Sequence, residues 1–119
     1  MPFDMVSHLT RQFAFSRATF GPGQRTKGAL DHIRKEMVEV ETATDSLDRK
    51  FEWADIAILG LDGLMREIAF ANGSNMPSEM VAREAVSIIT GKQSRNECRT
   101  WPDWRSLSPD HAIEHERSK

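Results

Sequence analysis

Residues 49–71 read RKFEWADIAILGLDGLMREIAFA, and this stretch decides the fold. Drawn as a helix, it carries Trp53, Ile56, Ala57, Ile58, Leu59, Leu61, Leu64, Met65 and Ile68 around most of its circumference. A helix that is apolar all round is a buried one. Glu52, Asp55, Asp62 and Arg66 are confined to one narrow strip of it, with Phe51 at the edge. Three carboxylates on a buried strip are costly unless positive charge compensates them. One arginine is too little for that, so the segment is both the centre of the fold and the place to look for chemistry.

Working outward, Asn72-Gly73-Ser74-Asn75 ends this helix and the polar run Thr42 to Asp48 precedes it. Upstream, Thr26 offers an N-cap to a helix reaching about Glu41, with Leu30, Ile33, Met37 and Val40 on one face. His32, Glu36 and Glu39 form a polar stripe beside that face. Downstream, Pro77 suits the first turn of a third helix through Met80, Val81, Ala85, Ile88 and Ile89 to about Arg99. Trp101-Pro102-Asp103-Trp104 breaks it, and Ser108 to Arg117 reads as one more short helix. Before all of these, Phe20-Gly21-Pro22-Gly23 is a loop signal, and Phe3 to Phe20 reads as an aromatic arm. Strand signals are almost absent. The expected fold is all-α, a small bundle of four to five helices. It makes one domain over 1–119, divided into arm and loop (1–25), helical core (26–100) and tail (101–119).

The 119 residues are 39% hydrophobic and 29% charged, which fits a globular domain and excludes a disordered or fibrous chain. A single cysteine, Cys98, rules out a disulfide framework and makes a reducing cytoplasm the expectation. No apolar run nears the roughly 18 residues of a membrane span, so no membrane partner is expected. The net charge of −2 argues against a sequence-independent nucleic-acid binder. Its distribution is uneven: residues 1–30 hold four bases and one acid, whereas 31–62 hold four bases and nine acids. The acidic middle coincides with the two carboxylate-bearing helices.

Glu36 and Glu39 stand three apart, as do Glu52 and Asp55, so each pair shares one helical face. Two facing pairs make a four-carboxylate cage, the donor set of a hard divalent cation such as Mg²⁺, which usually shares its remaining positions with substrate phosphates. The plainer alternative is a solvated face, with Lys35 paired to Glu39.

The spelling of the motif adds a resemblance. Glu36-Met37-Val38-Glu39, twelve residues, then Glu52-Trp53-Ala54-Asp55 resembles the ExxE…ExxD metal motif of the MazG-like all-α nucleoside triphosphate pyrophosphohydrolases. Arg11-Gln12-Phe13, Phe15-Ser16, Thr19 to Gly23, Asp31 to Glu36, Leu61-Asp62-Gly63, Trp101 to Arg105 and Ala112 to His115 resemble its dATP/dGTP pyrophosphohydrolase (MazZ-type) branch, found in phages and bacteria. Lys35 departs from the broader pattern, which often begins with two adjacent glutamates.

The resemblance implies hydrolysis of a purine deoxynucleoside triphosphate, dGTP or dATP, to monophosphate and pyrophosphate. Two to three Mg²⁺ or Mn²⁺ ions would sit on Glu36, Glu39, Glu52 and Asp55, with Glu36 and Glu39 the catalytic pair and Glu39 nearest the attacking water. Lys92, Arg95, Asn96 and Arg99, at helical spacing, are the phosphate-clamp candidates, with Arg25 and Lys27 as second choices. Arg11, Gln12, Phe15, Ser16, Phe20, Trp53 and Asp62 are the base and sugar candidates. His111 and His115, four apart, lack the further ligands of a metal site. A homodimer or homotetramer is implied, and control of a nucleotide pool. A nonspecific house-cleaning triphosphatase and a non-enzymatic helical interaction protein stand as alternatives.

Overall fold

Asp4 starts the first helix: Oδ1 accepts the Val6 N–H at 3.2 Å and Oδ2 accepts the Ser7 hydroxyl at 2.7 Å. The computed structural model describes residues 2–117, and its elements are α1 (Met5–Phe20), α2 (Thr26–Thr42), α3 (Ser46–Ala71), α4 (Ser78–Cys98) and a 3₁₀ turn at Trp104–Ser106. There is no strand among the described residues. The chain divides into two compact units, one through Val86 and one from Ser87 onward.

The first unit holds the core. Leu9 and Phe13, one helical turn apart on α1, are buried with Met65, Ile68 and Ala69 of α3 and Val81, Ala82 and Ala85 of α4. The segment expected to be an aromatic arm is therefore a helix, and its inner face is core. Ala82 and Ala85 are the small residues of α4's buried face.

α2 packs along the length of α3, but only Ala29 and Glu36 of its seventeen residues are buried. Seven residues separate them, so both lie on the face turned toward α3. The N-cap of α2 is Arg25, in left-handed conformation at φ 46°, rather than Thr26, which is already helical. α3 begins at Ser46, inside the polar run rather than after it at Arg49, because Asp45 caps it, Oδ1 accepting the Asp48 N–H at 2.8 Å.

Two expectations fail. The buried residues of α3 are Asp62, Met65, Arg66, Ile68 and Ala69, all in its C-terminal half, while Phe51, Trp53 and Ile58 are exposed. One chain supplies too few neighbours to cover an all-round apolar helix. The short helix at Ser108 to Arg117 does not form: within the second unit this stretch is turn and extended chain, tied by Glu116 N–H to the Thr100 carbonyl at 2.7 Å. Among the described residues, no helix is long and apolar enough to cross a membrane.

Candidate active site

Arg66 sets the frame. It is 2% exposed, and all five of its N–H donors are used. Nε donates to Asp62 Oδ2 at 2.9 Å, Nη1 to the carbonyls of Gly21 and Gly23 at 2.9 and 2.8 Å, and Nη2 to the Ser16 carbonyl and hydroxyl at 3.2 and 2.9 Å. Gly21 and Gly23 reach φ 92° and 90°, a region open to glycine, which lets the loop turn both carbonyls onto the guanidinium. The expected acidic strip thus splits in two. Arg66 takes Asp62, and the remaining acids have no such partner.

Those acids converge. Glu36 and Glu39 from α2 and Glu52 from α3 each place one carboxylate oxygen within 4.8 Å of the others. Glu36 is buried, and its Oε1 faces His32 Nε2 at 3.4 Å. Glu36 Oε2 and Glu52 Oε2 are shielded from solvent with no hydrogen-bond partner. Among the described residues no lysine or arginine pairs with the three; Lys35, expected on Glu39, instead reaches Asp31 at 3.9 Å. The crowding shows in the proton affinities. Glu52 is pushed up to about 8, first by its hydrogen bond with Glu39, then by that with Glu36, by burial and by the two like charges. Glu39 is held below its usual range, chiefly by accepting from Glu52 and then from Glu36. Glu52 therefore holds a proton that Glu39 accepts. Asp55, the fourth expected ligand, is exposed and stands outside this group.

The base and sugar candidates disperse. Phe20 and Asp62 line one pocket of about 300 Å³ together with Arg25, Gly28, His32 and Leu59. Phe15 sits edge-on to Phe20 with ring centres 6.5 Å apart, and His32 sits edge-on to Phe20 at the same distance. Gln12 and Ser16 are buried and serve the packing: Gln12 Nε2 donates to the Ile58 carbonyl at 3.0 Å, and Ser16 accepts from Arg66. Arg11 lines a separate surface hollow with Phe3 and His8. Trp53 lines an apolar groove with Ile33, Met37, Val40 and Ile56. Six of these seven sit on α1 or the start of α3, where neighbours in sequence point to different faces, so Gln12 and Ser16 turn to the core while Arg11 and Phe15 turn to solvent.

Of the phosphate candidates, Lys92 and Arg95 are exposed on the second unit's part of α4. Arg99 Nη1 donates to Asn96 Oδ1 at 3.3 Å, and the Asn96 carbonyl accepts the Trp101 indole N–H at 2.7 Å. His115 stacks edge-on with Trp101, and burial followed by the charges of Arg99, Arg117 and Lys92 lowers its proton affinity. With no helix beneath them, His111 and His115 lose the spacing that made them a pair. Cys98 is free and exposed. Lys27 is exposed.

Arg66 is the residue whose role sequence reading missed. The available signal was Asp62 four residues before it, the spacing of a helical ion pair.

No curated protein and no solved structure matches the chain significantly. The family model for dATP/dGTP pyrophosphohydrolase matches residues 9–119, which spans α1, the carboxylate cluster and the tail alike. The chain therefore belongs to the dATP/dGTP pyrophosphohydrolase family and is a nucleoside triphosphate pyrophosphohydrolase.

Proposed function

We propose that this enzyme hydrolyses purine deoxynucleoside triphosphates to the monophosphate and pyrophosphate with Mg²⁺ or Mn²⁺ held by Glu36, Glu39 and Glu52. The observation that carries the reading is the convergence of these carboxylates with two oxygens lacking any partner. The donor set fits a hard divalent ion: all ligands are oxygens, they come from two helices, and among the described residues no ammonium or guanidinium pairs with them. A cation there supplies charge neutralisation at the phosphates and an acidified water. The chain's own groups do the rest. His32 orients Glu36, and Glu39, whose carboxyl is held below its usual range, accepts the proton of the attacking water. Asp55, one turn beyond Glu52, completes the ligand set once its side chain turns inward.

A phosphate-binding role is assigned to Lys92, Arg95, Asn96 and Arg99 of the second unit. Two or three ions per site and control of the cytoplasmic nucleotide pool belong to the same reading. The apolar groove of Met37, Val40, Trp53 and Ile56, about 410 Å³, favours a homodimer or homotetramer in which a second copy covers it.

The test is to incubate the protein with dGTP, dATP, dCTP and dUTP, with Mg²⁺ or with a chelator. Purine monophosphate and pyrophosphate with Mg²⁺ alone is the expected result. Release of orthophosphate, or equal turnover of all four, overturns the proposal; equal turnover would leave a house-cleaning triphosphatase.

A further inference from the structure

One sequence signal plays no part in the chemistry above: Asn72-Gly73, in the stretch that ends α3. Asparagine is a thermally labile residue, because the backbone nitrogen of the next residue can attack its side-chain carbonyl carbon. A glycine in second place speeds that attack, having no side chain to obstruct it. The chain's other asparagines are followed by Met76 and Glu97. Around Gly73 the space is open, since a Cβ there would meet nothing within 4 Å, and residues 71–75 are all exposed.

Against the attack stands the helix cap. Asn72 Nδ2 donates to the Ile68 carbonyl at 2.8 Å, and the attacking nitrogen, the Gly73 N–H, donates to the Phe70 carbonyl at 3.2 Å. Ser74 N–H closes the turn on the Ala69 carbonyl at 2.7 Å, but from φ 65°, a left-handed conformation that is costly for a residue with a Cβ. The brake on the reaction is therefore itself strained. Asp62-Gly63 has a related spelling, but it lies inside α3, where Asp62 is buried and held by Arg66.

We propose that Asn72 is a site of spontaneous deamidation, that fraying of the last turn of α3 sets its rate, and that the product unfastens that turn. The Gly73 nitrogen gives its proton to water and bonds to Asn72 Cγ; the Cγ–Nδ2 bond breaks and ammonia leaves, forming a succinimide ring. Water then opens the ring. Cleavage between that nitrogen and Cγ yields aspartate, and cleavage between it and the Asn72 backbone carbonyl carbon yields isoaspartate. The sum is one water consumed and one ammonia released. Either product lacks the Nδ2 donor to Ile68 and puts a carboxylate at the negative end of the helix dipole. The helix loosened is the one that carries Glu52 and Arg66.

The experiment is incubation of the full chain in mildly alkaline buffer, folded and in urea, with peptide mass spectrometry reading the gain of about one dalton at Asn72. The folded chain is expected to react about 10- to 100-fold more slowly than the chain in urea, because its last turn must open first. Ser74→Gly, which suits the left-handed turn, should slow the folded reaction a further 2- to 5-fold or about that. Ser74→Val, β-branched and poorly suited to it, should speed the folded reaction by about the same factor. In urea the three chains should agree within about twofold, since the gate is then gone. Asn72→Asp, the product made directly, should lower Tm by about 2–6 °C. Ser74→Gly keeps the test open if Ser74→Val does not fold. No gain at Asn72 in the folded chain, a folded rate equal to that in urea, folded rates indifferent to residue 74, or an unchanged Tm in Asn72→Asp overturns the inference.

Discussion

Two acids of α3, Asp62 and Glu52, have opposite fates. Asp62 is buried against an arginine that is itself saturated by the loop and α1. Glu52, with Glu36 and Glu39 opposite, is gathered with no arginine or lysine among the described residues. Burial alone therefore does not mark the proposed metal site. What marks it is carboxylate oxygen that the protein folds together and then leaves unpaired.

The comparison breaks first at Arg66. Arg66→Met should strand a buried Asp62 and four loop and helix acceptors, with a loss of about 3–5 kcal/mol in urea denaturation. A loss under 1 kcal/mol would mean the guanidinium is not the staple described. At the other cluster the effect should fall on activity. Glu36→Gln removes a ligand charge, and kcat/KM should drop by at least about 100-fold with helix content unchanged. The same variant should forfeit the stabilisation expected from Mg²⁺ in the unaltered protein, about 2.7 kcal/mol at a hundred times Kd and read as a rise in Tm. If Mg²⁺ stabilises both equally, the ion binds elsewhere.

A smaller effect concerns pH in the presence of chelator. Glu52 is raised from 4.5 to about 8, so the folded chain binds a proton that the unfolded chain has released. That contribution to stability is complete below pH 4.5 and is lost as pH rises through 8. Tm should therefore decline between pH 6 and 9, and Glu52→Gln should flatten the decline. A Tm that climbs over this range contradicts the crowded-carboxylate picture. Least of all should change with Lys35→Ala: its contact with Asp31 is long and exposed, and stability and turnover should stay within about 0.5 kcal/mol.

Much of this was legible in residue order. The bounds of α2 and α4 and the end of α3 followed from apolar spacing and from the Gly-Pro, Asn-Gly and Trp-Pro breaks, because those are local signals. Glu36, Glu39 and Glu52 were found by spacing and family spelling, and the structure gathers them. The first helix was missed because its aromatic content and the glycine loop after it masked a Leu9/Phe13 face. The tail helix was expected from a Ser108 start that has no apolar face to dock. Gln12 and Ser16 looked like base readers because a polar side chain in sequence does not reveal whether its partner is a ligand or a neighbouring helix.

By itself, the order of residues determined four facts: an all-helical chain, two acid-bearing segments able to lie side by side, a family, and a reaction class. Only the tertiary structure decided which acids are already neutralised. That depends on where one guanidinium ends up among groups 43 to 50 residues away in the chain, and a hydrogen bond across such a distance exists only once the helices have packed.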